Sequence, residues 1–187
     1  VTTADLVIGA ADLHHIETTM LPAQLQTFPQ KWWDKATSGP GAVLVFLGVR
    51  GRLPELAHHS LFFTGDWNAN FDAIFESPTR VPEPASLYVC RPSASDDSVA
   101  PEGDENLFIL VPVPADPGLG SGGVDGAGAE AIEQVADRAI DLVADWSSVP
   151  DLAERVVVRR TMGPGDFVAD LNSWCGGALG PAHTLRQ

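Results

Sequence analysis

Two histidine doublets, His14-His15 and His58-His59, and two cysteines, Cys90 and Cys175, are the residues of this chain suited to metal or nucleophilic chemistry. Adjacent side chains point to opposite faces of a strand and diverge by about 100° on a helix, so neither doublet should present both rings to one ion. No carboxylate or cysteine stands at ligand spacing to complete a tetrahedral set, and the expectation is no metal site, the histidines being structural or close to a substrate. The cysteines lie outside any CxxC pattern and read as two buried thiols in a reducing compartment. A catalytic cysteine needs a base; His183 is the only histidine near Cys175 in sequence, and no catalytic role is assigned.

Asp96, Asp97, Glu102, Asp104 and Glu105 form an acidic cluster among Ser, Pro and Gly. It lacks the alternating oxygen register of a calcium loop, so a solvated turn between two strands is expected. Gly118 to Gly123 spells GxGxxG between a strand and a helix. A dinucleotide turn needs its strand to end at the first glycine and its helix to begin at the phosphate. Here Pro112, Pro114 and Pro117 intervene, and no acidic residue closes a second strand about 20 positions on. The stretch 115–126 is therefore expected to be an exposed, mobile loop. GxSxG and GxxxxGK[ST] are absent, and local chemistry offers no complete catalytic set.

The elements that must position these residues show in the periodicity. Residues 43–49 are continuously apolar and β-branched, as in a central strand buried on both faces. Further strands are expected at 59–64, 86–91, 107–111 and 155–161, with Pro112 and Pro114 curtailing the fourth. Asp66 can cap a helix over 67–76, whose Trp67, Phe71, Ile74 and Phe75 share one stripe and are expected in the core. A second helix, over 129–146, carries Ile132, Val135, Ala136, Ala139, Ile140, Val143 and Trp146 on one face, with Glu130, Glu133, Asp137 and Asp141 mostly on the other. The fold class is α+β (irregular α/β), with a mostly antiparallel or mixed sheet of about five strands and helices on one face.

Composition narrows the partners. The chain has 187 residues, and 11 Lys and Arg against 25 Asp and Glu give a formal net charge of -14. With no basic stripe to offset it, nucleic acid is excluded as a partner. The same sign opposes electrostatic docking on anionic lipid and leaves only an apolar, peripheral membrane contact open. No apolar run approaches the roughly 18 residues of a membrane span, no secretory signal opens the chain, and a cytoplasmic location is expected.

Read in order, several segments resemble the bacterial carotenoid desaturases, phytoene dehydrogenase-type FAD enzymes. Residues 4–12 (ADLVIGAAD) followed by Leu21-Pro22 resemble "ADxVVxNAD…LLP", residues 58–62 (HHSLF) resemble "HHTIxF", and residues 71–75 (FDAIF) resemble "FxxIF". Arg91-Pro92-Ser93 with Asp96 and Ala100-Pro101-Glu102-Gly103 is similar to "RPSxTDxxxAPEG", residues 110–114 match "LVPVP", and residues 177–187 resemble "GxxFGxxHxLxQ" with Leu179 in place of Phe.

The resemblance implies an internal piece of a much longer enzyme. Residues 1–12 would be a strand leaving the FAD domain, 13–175 the substrate-binding domain with its exposed Gly-rich loop 115–126, and 176–187 the start of the return toward the FAD domain. It further implies FAD in the intact protein, a long apolar isoprenoid substrate, and oxidation of CH2–CH2 to CH=CH with hydride passing to the flavin. Ala10, Ala11 and Asp12 match the segment near the cofactor; no catalytic residue follows from the resemblance. The piece alone is expected to be inactive and to self-associate through the surface its missing FAD domain would cover. The alternatives are a carotenoid isomerase or saturase of the same superfamily, or a non-enzymatic apolar-ligand or protein-interaction module.

Overall fold

The computed structural model describes residues 3–184; Val1, Thr2 and the end of the last motif, Leu185, Arg186 and Gln187, lie outside the described residues. Five strands form one sheet: β1 (Gly41–Val49), β2 (His59–Phe62), β3 (Leu87–Cys90), β4 (Glu105–Val113) and β5 (Val156–Met162). Their order is β2-β3-β4-β1-β5, and every neighbouring pair is antiparallel. The central pair β1–β4 runs in unbroken register from Gly41 opposite Val113 to Val49 opposite Glu105.

Side chains alternate across a strand, so this register sorts two faces. Val43, Val45, Leu47 and Val49 meet Leu107, Ile109, Val111 and Val113 on one face, all buried. The long helix α2 (Glu130–Ser147) closes that face with Ile132, Val135, Ala136, Ala139, Ile140 and Val143. Ser148 takes a left-handed conformation that ends α2, two residues before Pro150. On the other face Leu44, Phe46, Phe108 and Leu110 are only half-buried. β1 is thus buried on one face rather than both: its apolar run serves a core on one side and an open apolar surface on the other.

β4 continues through Pro112, which lies opposite Ala42. On its other side the β3 pairing ends at Tyr88 opposite Leu110, so no strand asks Pro112 for an amide proton there. Helix α1 (Trp67–Phe75) begins as expected, with the Asp66 side chain accepting from the Ala69 amide at 2.9 Å. Its aromatic stripe does not enter the core. Ala73 and Ile74 are buried, but Trp67, Phe71 and Phe75 stay 46%, 48% and 43% exposed. They instead stack along the helix, Trp67 to Phe71 at 5.5 Å and Phe71 to Phe75 at 6.2 Å.

The glycine-rich stretch is pinned rather than loose. Gly122 donates to Asp166 Oδ2 (2.7 Å), Gly123 exchanges bonds with Thr161, and Val124 bridges to Arg160 of the edge strand β5. A Cβ on Gly122 would sit 2.2 Å from the Thr161 carbonyl, so this glycine lets two backbones touch. Helix α3 (Pro164–Leu171) follows β5, its Asp166 also accepting from the Gly163 amide.

Ile109→Ala is expected to cost about 2–5 kcal/mol, whereas Phe71→Ala costs below about 1 kcal/mol because the ring is half in solvent. Denaturant unfolding of the two variants checks both. Gly122→Ala should destabilise by about 1–3 kcal/mol through overpacking; a midpoint equal to that of the parent chain would mean that the loop is not held against β5.

Candidate functional site

The open face of the sheet carries two groups of candidate residues. Toward one end, three grooves adjoin. The widest, about 600 Å³, lies between Leu44 and Leu110 of the sheet, Asp12, Phe167 and the segment Leu179 to Pro181. The second, about 490 Å³, shares Leu179 and Pro181 and adds Phe71, Phe75 and His183. A third of about 300 Å³ continues past Pro40, Trp67 and Phe71 to Pro112. Shared walls make them one apolar path. The exposed aromatics of α1 line it, which explains why a stripe with core periodicity lies outside the core.

Ala11 and Asp12 lie at the edge of the widest groove. The Asp12 carboxylate caps the first helical turn through the His15 amide (3.0 Å) and accepts from the Trp174 amide (3.1 Å), tying residues 12 and 174 together. Ala10 is exposed. His14 packs edge-on against the buried Trp33 at 4.9 Å and beside Trp174 at 6.0 Å, so this member of the first doublet is structural.

An aromatic row crosses the same face. Phe46 meets Phe108 at 5.3 Å, Phe108 meets Tyr88 at 6.2 Å, and Tyr88 stacks on His59 at 5.9 Å. His59 pairs in register with Cys90, and the His58 and His59 rings lie 4.3 Å apart. The expectation that adjacent histidines diverge fails here. His58 precedes β2, and only His59 obeys strand alternation. The sequence also hid Cys90, because strand pairing delivers it from far along the chain. Hydrogen bonding with Cys90, then burial, pushes the Tyr88 phenol above its ordinary value.

Neither cysteine is fully buried, contrary to expectation: Cys90 is half-buried and Cys175 exposed. Local desolvation, followed by the charge of Asp12, raises the Cys175 thiol, which opposes a nucleophilic role.

The acidic cluster is not simply a solvated turn. Glu105 occupies an inward position of β4 and is 1% exposed. It binds Arg91 at 2.9 Å, accepts from Ser93 Oγ, and receives the Leu53 amide at 3.4 Å. Asp104 accepts from the Gly51 amide at 2.9 Å. The Arg91-Pro92-Ser93 segment is thereby anchored, and beside it Ser95 Oγ lies 2.7 Å from His58 Nδ1. Glu133 is likewise buried despite its expected place on the outer face of α2. It accepts from Arg159 at 2.5 Å and from Thr161 Oγ1 at 2.6 Å.

Desolvation raises the Glu105 carboxyl, but the bonds from Ser93, Leu53 and Arg91 outweigh it and hold the group below the ordinary range. The folded state therefore binds this proton more weakly than the unfolded chain does. The resulting stability is present above about pH 4.3 and disappears as pH falls through the lower folded-state value.

Taken together, the chain is an antiparallel α+β segment with a grooved apolar surface beside a polar histidine cluster. No protein-family model matches it. It is 39% identical over 183 residues, 98% of its length, to a carotenoid 3,4-desaturase of Haloarcula japonica, covering 35% of that protein. It is 40% identical over 111 residues, 59% of its length, to a zeta-carotene-forming phytoene desaturase of Myxococcus xanthus, covering 21% of it. It is 27% identical over 186 residues, 98% of its length, to a 4,4'-diapophytoene desaturase of Staphylococcus haemolyticus, covering 36% of it. The chain belongs to the carotenoid desaturase family and spans about a third of the length of the curated relatives that it matches end to end.

Glu105→Gln is expected to flatten the acid limb of stability against pH, with the larger loss of stability above pH 4.3. Unfolding midpoints measured across the acid range check this. A variant that loses stability in parallel with the parent at every pH would exclude Glu105 as the titrating group.

Proposed function

We propose that this chain is the substrate-binding portion of an FAD-dependent oxidoreductase that desaturates a long isoprenoid. The observation carrying the proposal is the run of three adjoining apolar grooves on the open sheet face. A polyene precursor offers no polar handle, so its recognition must come from aliphatic and aromatic walls of this kind. Leu44, Phe108, Leu110, Phe71 and Phe75 supply them. Among the described residues no helix is long and apolar enough to cross a membrane.

The glycine-rich loop does not fit the pyrophosphate of FAD. Its Gly118, Gly120, Gly122 and Gly123 amides already donate to Asp116, Pro117, Asp166 and Thr161. Beside Ala11 and Asp12 the groove is walled by the small and apolar residues Gly177 to Pro181, which leaves room for the ring end of a flavin. Asp12 would act there by holding residues 10–12 against Trp174. This contact, and the groove that Ala11 and Asp12 share with Gly177 to Pro181, support placing these two segments on the side turned toward the cofactor. A bound flavin would supply the oxidation: two C–H bonds on neighbouring carbons break, one hydrogen leaves as hydride to the oxidised ring and the other as a proton, and the C=C bond forms. The residues of this chain orient the substrate and exclude water from it.

Leu110→Asp places a charge in the widest groove and should weaken uptake of a colourless polyene from detergent by at least about tenfold, or 1.4 kcal/mol. Quenching of tryptophan emission reports the binding, and circular dichroism confirms an intact fold. Unchanged uptake would overturn the groove as substrate site. The chain alone should emerge from gel filtration of a flavin mixture without flavin absorbance; co-elution would contradict the assignment of phosphate binding to residues outside it.

A further inference from the structure

We infer that His58, His59 and Cys90 form a site for a zinc-class divalent cation, with three protein ligands and the fourth position open on the apolar face of the sheet. One ligand atom from each residue lies within 4.8 Å of the other two. In a tetrahedral zinc site bonds of about 2.0 Å to nitrogen and 2.3 Å to sulfur put ligand atoms about 3.3–3.6 Å apart. Small side-chain rotations close the difference.

Three features set this group apart from a chance cluster. The β2–β3 register sets His59 directly opposite Cys90, so two ligands stand on neighbouring strands and on one face. The Arg91 amide donates to the His58 carbonyl at 2.8 Å, which turns the preceding residue in beside them. Each imidazole also has an outer hydrogen bond, between His58 Nδ1 and Ser95 Oγ and between His59 Nδ1 and Tyr88 Oη, both 2.7 Å. Metal-bound histidines ordinarily carry such a bond on the second ring nitrogen, which fixes the tautomer and orients the ring. When Nδ1 donates, Nε2 keeps its lone pair for the ion. A donor set of two imidazole nitrogens and one thiolate sulfur is borderline-soft and selects zinc or its spectroscopic substitute cobalt over magnesium or calcium.

The site is independent of polyene recognition, because its ligands line none of the three grooves. The test is a titration of the chain with cobalt(II), then zinc, under a phosphine reductant. Expected is one equivalent bound, with the strong visible bands of tetrahedral cobalt and a thiolate-to-cobalt charge-transfer band that zinc abolishes. Cys90→Ser should remove the charge-transfer band. His59→Asn, at an exposed position, should weaken binding by at least about tenfold, and His15→Asn should leave the cobalt spectrum unchanged. Weak octahedral absorption only, or a spectrum identical in Cys90→Ser and His59→Asn, would overturn the proposal. Loss of the cobalt spectrum with intact polyene quenching would separate its failure from that of the groove.

Discussion

The nine-residue antiparallel register between β1 and β4 governs the rest of the molecule. Side-chain direction alternates with period two, so a slip of one residue would carry Val43, Val45 and Ile109 out to solvent and turn Leu44, Phe46 and Leu110 toward α2. Both sets are apolar, and hydrophobicity alone does not choose between them. Glu105 does. At the end of β4 it reaches Arg91, Ser93 and the Leu53 amide only from the inward side. Outward, it would leave Arg91 without its carboxylate. A buried charge that is costly unless paired thus acts as a register key.

A second buried carboxylate performs a similar task at the opposite edge. Arg159 and Thr161 of β5 face α2, where Glu133 accepts from both and Asp137 takes the other side of the guanidinium. Desolvation works against the Arg159 charge, yet these two acids raise its pKa above the ordinary arginine value. The glycine-rich stretch can then lie flat along β5, its amides taken up by Thr161 and Asp166. A segment of low-complexity composition is held because it contributes backbone, rather than side chains, to the contact. The same packing consumes the donors that a phosphate would need.

Strand positions, the Asp66 cap and the apolar face of α2 were legible in the chain because they depend on neighbours two to four residues apart. The face of β1 that stays open was not, since a continuous apolar run looks the same whether one side or both are covered. Trp67, Phe71 and Phe75 have the spacing of a core stripe, and only the placement of α1 beside the grooves shows that they line a surface. The histidine doublet at 58–59 invited the assumption of regular strand geometry; a boundary between them undid it.

Residue type and short-range periodicity were sufficient for an α+β sheet and an acidic surface, and the order of several motifs carried the resemblance to the carotenoid desaturases. Tertiary contacts were needed to bury Glu105 and Glu133, to dock the glycine loop, and to bring Cys90 beside His58 and His59. Those outcomes depend on partners tens of residues away, and an antiparallel pairing is chosen by the free energy of the whole sheet rather than by any one strand.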